Sequence, residues 1–180
     1  MAPPTPPTEP SNPPVKGEVF KYGILILAIF VFIGCDQLTK EFAKRELSYT
    51  DGPIHFLGMV SFEYAENTGS FLSIGAGLPP DLRRAIHIVS AAVILIGFVL
   101  LLSYAYRLDR VRRIGYCLLL AGACGNLVDR FSNDGRVIDF IVLKIGSLET
   151  GVFNLADVFI LAGLALVLIR FRSQENPGPT

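Results

Sequence analysis

The residues best placed to do chemistry are carboxylates and carboxamides set in apolar sequence. Asp36, Asn126, Asn154 and Asp157 stand in or at the ends of long apolar runs, Asp129 follows one, and Asp139 interrupts Val137-Ile-Asp-Phe-Ile-Val-Leu143. An ionised side chain at the centre of a membrane costs on the order of 2.5–3.5 kcal/mol, less near its edge. Such groups therefore face one another or a water-filled cleft. Asp139 and Asp157 make a candidate pair. Two carboxylates at one site do not ionise independently, so one can hold its proton while the other acts as a base. That pair can activate a water against a peptide carbonyl and protonate the oxygen on which charge develops. This is aspartic peptidase chemistry, and it needs no metal. The same acids would also serve an ion pathway or helix pairing.

Positioning such groups falls to four apolar stretches, at about 22–35, 85–106, 114–128 and 153–169. Hydrophobic residues make up 51% of the chain, charged residues only 18%, and the mean hydropathy is +0.49. Soluble domains carry about a quarter charged residues, so four transmembrane helices are expected. The link between the second and third holds Arg107, Arg110, Arg112 and Arg113, and short loops rich in Lys and Arg stay in the cytoplasm. Lys16 and Lys21 precede the first helix, and Arg170 and Arg172 follow the fourth. Both termini are thus expected in the cytoplasm, with 36–84 and 129–152 outside. Asp36 lies 15 residues beyond Lys21, Asn126 lies 13 beyond Arg113, and Asp157 lies 13 before Arg170. At about 1.5 Å per residue all three sit roughly 20–22 Å up, at one level in the outer part of a core about 30 Å thick. Asn154 and Asp129 lie about a turn higher.

The outer segments have structure of their own. Residues 38–47 have helical spacing with Lys and Glu interleaved, which predicts an interfacial helix. Residues 54–64 are rich in β-formers and precede Asn67-Thr-Gly-Ser70, which predicts short strands with glycine turns and a small sheet on the outer helix ends. The expected fold is an all-α integral membrane protein with that sheet and interfacial helix added. One domain over 18–172, with an extracytoplasmic insertion at about 40–84, is flanked by tails at 1–17 and 173–180. The first 14 residues hold seven prolines, a composition that predicts disorder.

Several functions are excluded or disfavoured. Net charge is zero, which gives no footprint for nucleic acid. Cys35, Cys117 and Cys124 form no paired framework and no C-x-x-C, His55 and His87 are 32 positions apart, and H-E-x-x-H is absent, so no zinc site is expected. Ser70 and His87 lack the motif and acid of a serine protease.

Five short blocks, in order, then resemble bacterial lipoprotein signal peptidase: Asp36-Gln-Leu-Thr-Lys40, Asn67-Thr-Gly69, Gly125-Asn-Leu-Val-Asp-Arg130, Val137-Ile-Asp-Phe140 and Phe153-Asn-Leu-Ala-Asp157. The resemblance implies that Asp139 and Asp157 are catalytic. It implies that Asn67, Gly69, Asn126, Arg130 and Asn154 line the substrate site, with Asp36, Lys40 and Asp129 bracing it. The implied enzyme uses no cofactor or metal and works as a monomer among lipids of the bacterial inner membrane, with its site near the outer leaflet. It cuts diacylglyceryl-modified precursors just before the lipidated cysteine. Two positions depart from the family pattern: Ala121 replaces a glycine, and Ser70 is followed at once by Phe71.

Plainer roles stand beside these. Asp36 and Lys40 have i,i+4 spacing for an ion pair, Asp129 and Arg130 could mark the membrane boundary, and Asn126 could join helices. Asn67 could serve a turn, and Asn154 could cap the fourth helix. Gly122, Gly125 and Ala121 read as close helix packing. Rival functions are a lipoprotein modified at Cys35, after Phe32-Ile-Gly, a small transporter, and a membrane scaffold.

Overall fold

The computed structural model describes residues 15–50, 52–56, 58–68 and 78–175. Four long helices carry a small sheet. In chain order these are α1 (Val15–Leu47), β1 (Ile54–Phe56), β2 (Val60–Asn67), α2 (Pro80–Tyr104), α3 (Arg110–Ser132), β3 (Val137–Ile145), β4 (Leu148–Glu149) and α4 (Leu155–Glu175). Among the described residues, α1, α2 and α3 each hold a stretch long and apolar enough to cross a membrane. The tail expected at 1–17 lies outside the described residues as far as residue 14, and α1 begins at Val15. At the other end α4 runs to Glu175, past the expected boundary at 172, and 176–180 lie outside the described residues.

The helix expected over 38–47 is not separate. It continues α1 without a break, giving 33 residues and about 50 Å of helix. No proline or glycine lies between Cys35 and Leu47, so nothing in the sequence stops the helix where the apolar run ends. The C-terminal half of α1 therefore carries Asp36 and Lys40 along a rigid rod.

The sheet is antiparallel, ordered β1-β2-β3-β4, and draws on both outer segments. Its second half was not expected: 137–143 reads as an apolar run leading back to the last helix, yet it forms a strand beside β2. Val137 to Phe140 are all buried, so the alternation that marks a half-exposed strand is missing. Ala65 pairs with Asp139 and Asn67 with Val137. Phe153, just before α4, bridges to Ile141.

α3 is the hub, packed against α1, α2 and α4. Ala121 is fully buried in a cluster with Leu25 and Ile29 of α1 and Leu101 of α2. α3 and α4 approach through glycine on both sides. A Cβ on Gly163 would lie 2.6 Å from the Gly115 carbonyl, and one on Gly122 would meet the Ala156 carbonyl and lie 2.8 Å from Ile160 Cγ1. Neither backbone can yield locally. Gly122→Ala should therefore cost about 1–3 kcal/mol by overpacking, read as a lower midpoint of thermal unfolding in detergent.

Candidate active site

The site begins with a buried cation. Lys40 is 1% exposed, and its ammonium has three N–H donors. It meets three acceptors: Asp36 Oδ2 at 2.8 Å, Asp129 Oδ2 at 3.0 Å and Asn126 Oδ1 at 2.9 Å. The remaining carboxylate oxygens are also used. Asp36 Oδ1 accepts the Ala156 N–H in the first turn of α4 at 2.9 Å. Asp129 Oδ1 accepts Gln37 Nε2 at 2.8 Å, and its Oδ2 also accepts the Ile138 N–H at 3.1 Å. Gln37 donates further to the Gly125 carbonyl at 3.1 Å. Gly125 has no alternative residue here, because a Cβ would lie 2.5 Å from Asp36 Oδ2.

This cluster anchors a carboxamide bridge. Asn126 Nδ2 donates to Asp157 Oδ1 at 2.9 Å. Asn154 Nδ2 donates to Asn126 Oδ1 at 3.1 Å and to Asp139 Oδ1 at 2.6 Å. Asn154 Oδ1 accepts the Asp157 N–H at 3.0 Å, and Asp157 Oδ2 accepts the Asn154 N–H at 3.3 Å. That reciprocal pattern is a capping box with Asp at the third position. One asparagine thus starts α4, orients Asp157 and holds Asp139. Asn67 Nδ2 donates to Asp139 Oδ2 at 3.0 Å from the end of β2, a diagonal neighbour across the sheet. Arg130 Nη1 donates to the Asn126 carbonyl at 3.0 Å.

The two acids open onto a cavity of about 670 Å³. Its polar wall holds Asn67, Asn126, Arg130, Asp139 and Asp157, and its opposite wall is α2, with Leu82, Ile86, Val89 and Val93. A second, apolar cavity of about 520 Å³ continues along α2 and α3, sharing Val93, Ile94, Ala123 and Ile160. Asp36, Lys40, Asp129 and Asn154 lie behind the wall, each 2% exposed or less. Of the site residues expected from the sequence, Gly69 lies outside the described residues, and so do Ser70 and Phe71 beside it. Gln37 and the α2 wall were missed. Gln37 stands between Asp36 and Lys40 in one block, and its spacing from them was the available signal.

Asp139 lies on a strand, 3% exposed. Burial pushes its carboxyl up from 3.8 to about 6, helped by the charge of Asp157 and opposed by the Asn67 and Asn154 hydrogen bonds. Among the described residues no three His, Cys, Asp or Glu side chains are grouped to hold a metal ion.

A family profile described as signal peptidase (SPase) II matches residues 28–172. A lipoprotein signal peptidase of Caldicellulosiruptor bescii is 38% identical over 147 residues, covering 81% of this chain and 87% of its own. One from a Nostoc species is 35% identical over 150 residues, covering 83% and 90%. Among solved structures, a bacterial membrane enzyme at 2.3 Å resolution superposes with a TM-score of 0.73, at 23% identity, over 87% of this chain and 92% of its own. At that identity the likeness shows the shared fold.

Two outcomes follow. Lys40→Met strands Asp36 and Asp129 without their counter-charge and should cost about 3–5 kcal/mol, measured by thermal unfolding in detergent. For Asp139 the folded state binds more proton than the unfolded one between pH 3.8 and about 6. Its contribution is therefore most favourable below pH 3.8, falls as pH rises to about 6, and is flat above. The stability of Asp139→Asn relative to the parent should rise over that window by on the order of 2–3 kcal/mol.

Proposed function

The chain belongs to the signal peptidase II family, and on that premise we propose that it removes signal peptides from diacylglyceryl-modified prolipoproteins by aspartic catalysis. One observation carries the reading: two acids from different elements, a strand and a helix start, hang on one asparagine bridge and face a cavity whose opposite wall is apolar. In the proposed reaction one carboxylate takes a proton from water. The water oxygen bonds to the scissile carbonyl carbon, and the protonated partner gives its hydrogen to the carbonyl oxygen. Collapse of that intermediate breaks the C–N bond, and a proton passes to the amine of the lipidated cysteine.

The chain's own groups divide the work. Asn67 and Asn154 hold both oxygens of Asp139, and Asn126 holds Asp157. The Arg130 guanidinium, in the cavity wall, is suited to carbonyl or ester oxygens. Gly69 follows Asn67 and Thr68 directly and is assigned to the same substrate edge. The apolar wall of α2 and the cavity beyond it suit an acylated, hydrophobic substrate. We place four spans in the bacterial inner membrane, α4 being the fourth, with both termini cytoplasmic, the sheet outside and the site near the outer leaflet. The enzyme is assigned as a monomer needing no cofactor.

Purified protein in detergent should cleave a diacylglyceryl-modified precursor and leave the unmodified one intact, read as a gel shift. Asp139→Asn and Asp157→Asn should each lower the rate on the order of 10³-fold while folding and inserting normally, and a chelator should change nothing. Full activity in either variant would overturn the assignment of the pair.

A further inference from the structure

At its exposed end the sheet carries apolar side chains on one face and charged or polar ones on the other. Opposed residues in an antiparallel pair share a face, and residues two apart along a strand share it too. The registers Ile54–Phe62, Phe56–Val60, Val60–Leu143, Phe62–Ile141 and Ile145–Leu148 therefore gather apolar side chains on one side, and the Ala65–Asp139 and Asn67–Val137 pairs continue that side inward to the site. The other side buries Ser61, Val142 and Phe140 and carries His55, Lys144 and Glu149 on its exposed rim. At the inner end of the apolar face, Phe62 and Ile141 pack on the cluster of Ala43, Leu47 and Phe140. Beyond that support the face is bare. Ile54, Phe56, Ile145 and Leu148 are 48%, 56%, 71% and 76% exposed.

We propose that this face lies on the lipid of the outer membrane interface, with the Ile145–Leu148 hairpin dipping into it. Exposed apolar patches of this kind mark membrane or partner surfaces, and two observations select the membrane. The inner end of the face packs on the last turns of α1, so it turns toward the helices rather than away from them. The helix on which it packs also exposes Phe30, Leu38 and Phe42, within a stretch long and apolar enough to cross a membrane. An element polar on one side and apolar on the other lies in an interface plane. β3 carries both the hairpin and Asp139, so the seating of this face fixes the depth of that acid. The inference rests on membrane insertion alone, and an inactive protein would behave the same way.

The chain contains no tryptophan, so Leu148→Trp introduces a single indole. The full-length variant would be reconstituted in vesicles of phosphatidylcholine and phosphatidylglycerol, with Lys144→Trp on the polar face as the control. Leu148→Trp should emit to the blue of Lys144→Trp, lose most of its emission when the phosphatidylcholine is brominated on its acyl chains, and resist iodide. Ile145→Trp, across the hairpin, repeats the measurement if Leu148→Trp reconstitutes poorly. Quenching by iodide without quenching by brominated lipid would overturn the proposal. Protection from both would also overturn it, showing that a second copy or another protein covers the face.

Discussion

Everything around the two acids depends on one buried ammonium group. Lys40 has three donors and finds three acceptors, on α1 and α3. A lysine held this far from water is costly unless each donor is matched. Here the matching groups are themselves attached elsewhere, Asp36 to the first turn of α4 and Asp129 to the start of β3. One charge thus ties together the two elements that deliver Asp157 and Asp139. Removing it would leave two carboxylates in a place that tolerates them only as partners.

The tie works because the helices are brought close enough. Gly125 lets Asp36 approach α3, and Gly122 lets α4 approach it from another side. Small residues at such crossings are the usual means of close helix packing in membranes, where there is no hydrophobic drive between helices. Ala121 stands where the family pattern has a glycine, and its methyl is accommodated on the α1 and α2 side. The glycines that meet α4 and Asp36 are the ones retained.

Counting helix rise from the arginines and lysines at the helix ends puts Asp36, Asn126 and Asp157 at one level, and the structure joins them within two hydrogen bonds of Lys40. Such legibility comes from the regular rise of a helix. The capping role of Asn154 was legible as well, since its neighbours begin a helix. The strand carrying Asp139 was not. Its first four residues are buried without alternation, so periodicity carried no signal, and its pairing with β2 joins segments some 70 positions apart. Gln37 was passed over because a carboxamide between two charged residues looks like a spacer until its contacts are seen. The unbroken run of α1 to Leu47 is not legible, because hydropathy falls after Cys35 while nothing in the sequence breaks the helix.

A strand and a helix start make an unequal pair of supports. Asp157 sits in the first turn of α4, fixed by its own backbone and by Asn154. Asp139 is held through Asn67 on β2 and Asn154 at the cap of α4, on a strand whose far end leaves the bundle. Helix packing sets the first acid, and the seating of the sheet sets the second. The two meet only when the sheet is correctly placed over the helix ends, and the Asn154 side chain bonds to both residues. A capping residue has thereby become the gauge of the site, since the geometry that starts α4 is the geometry that receives Asp139.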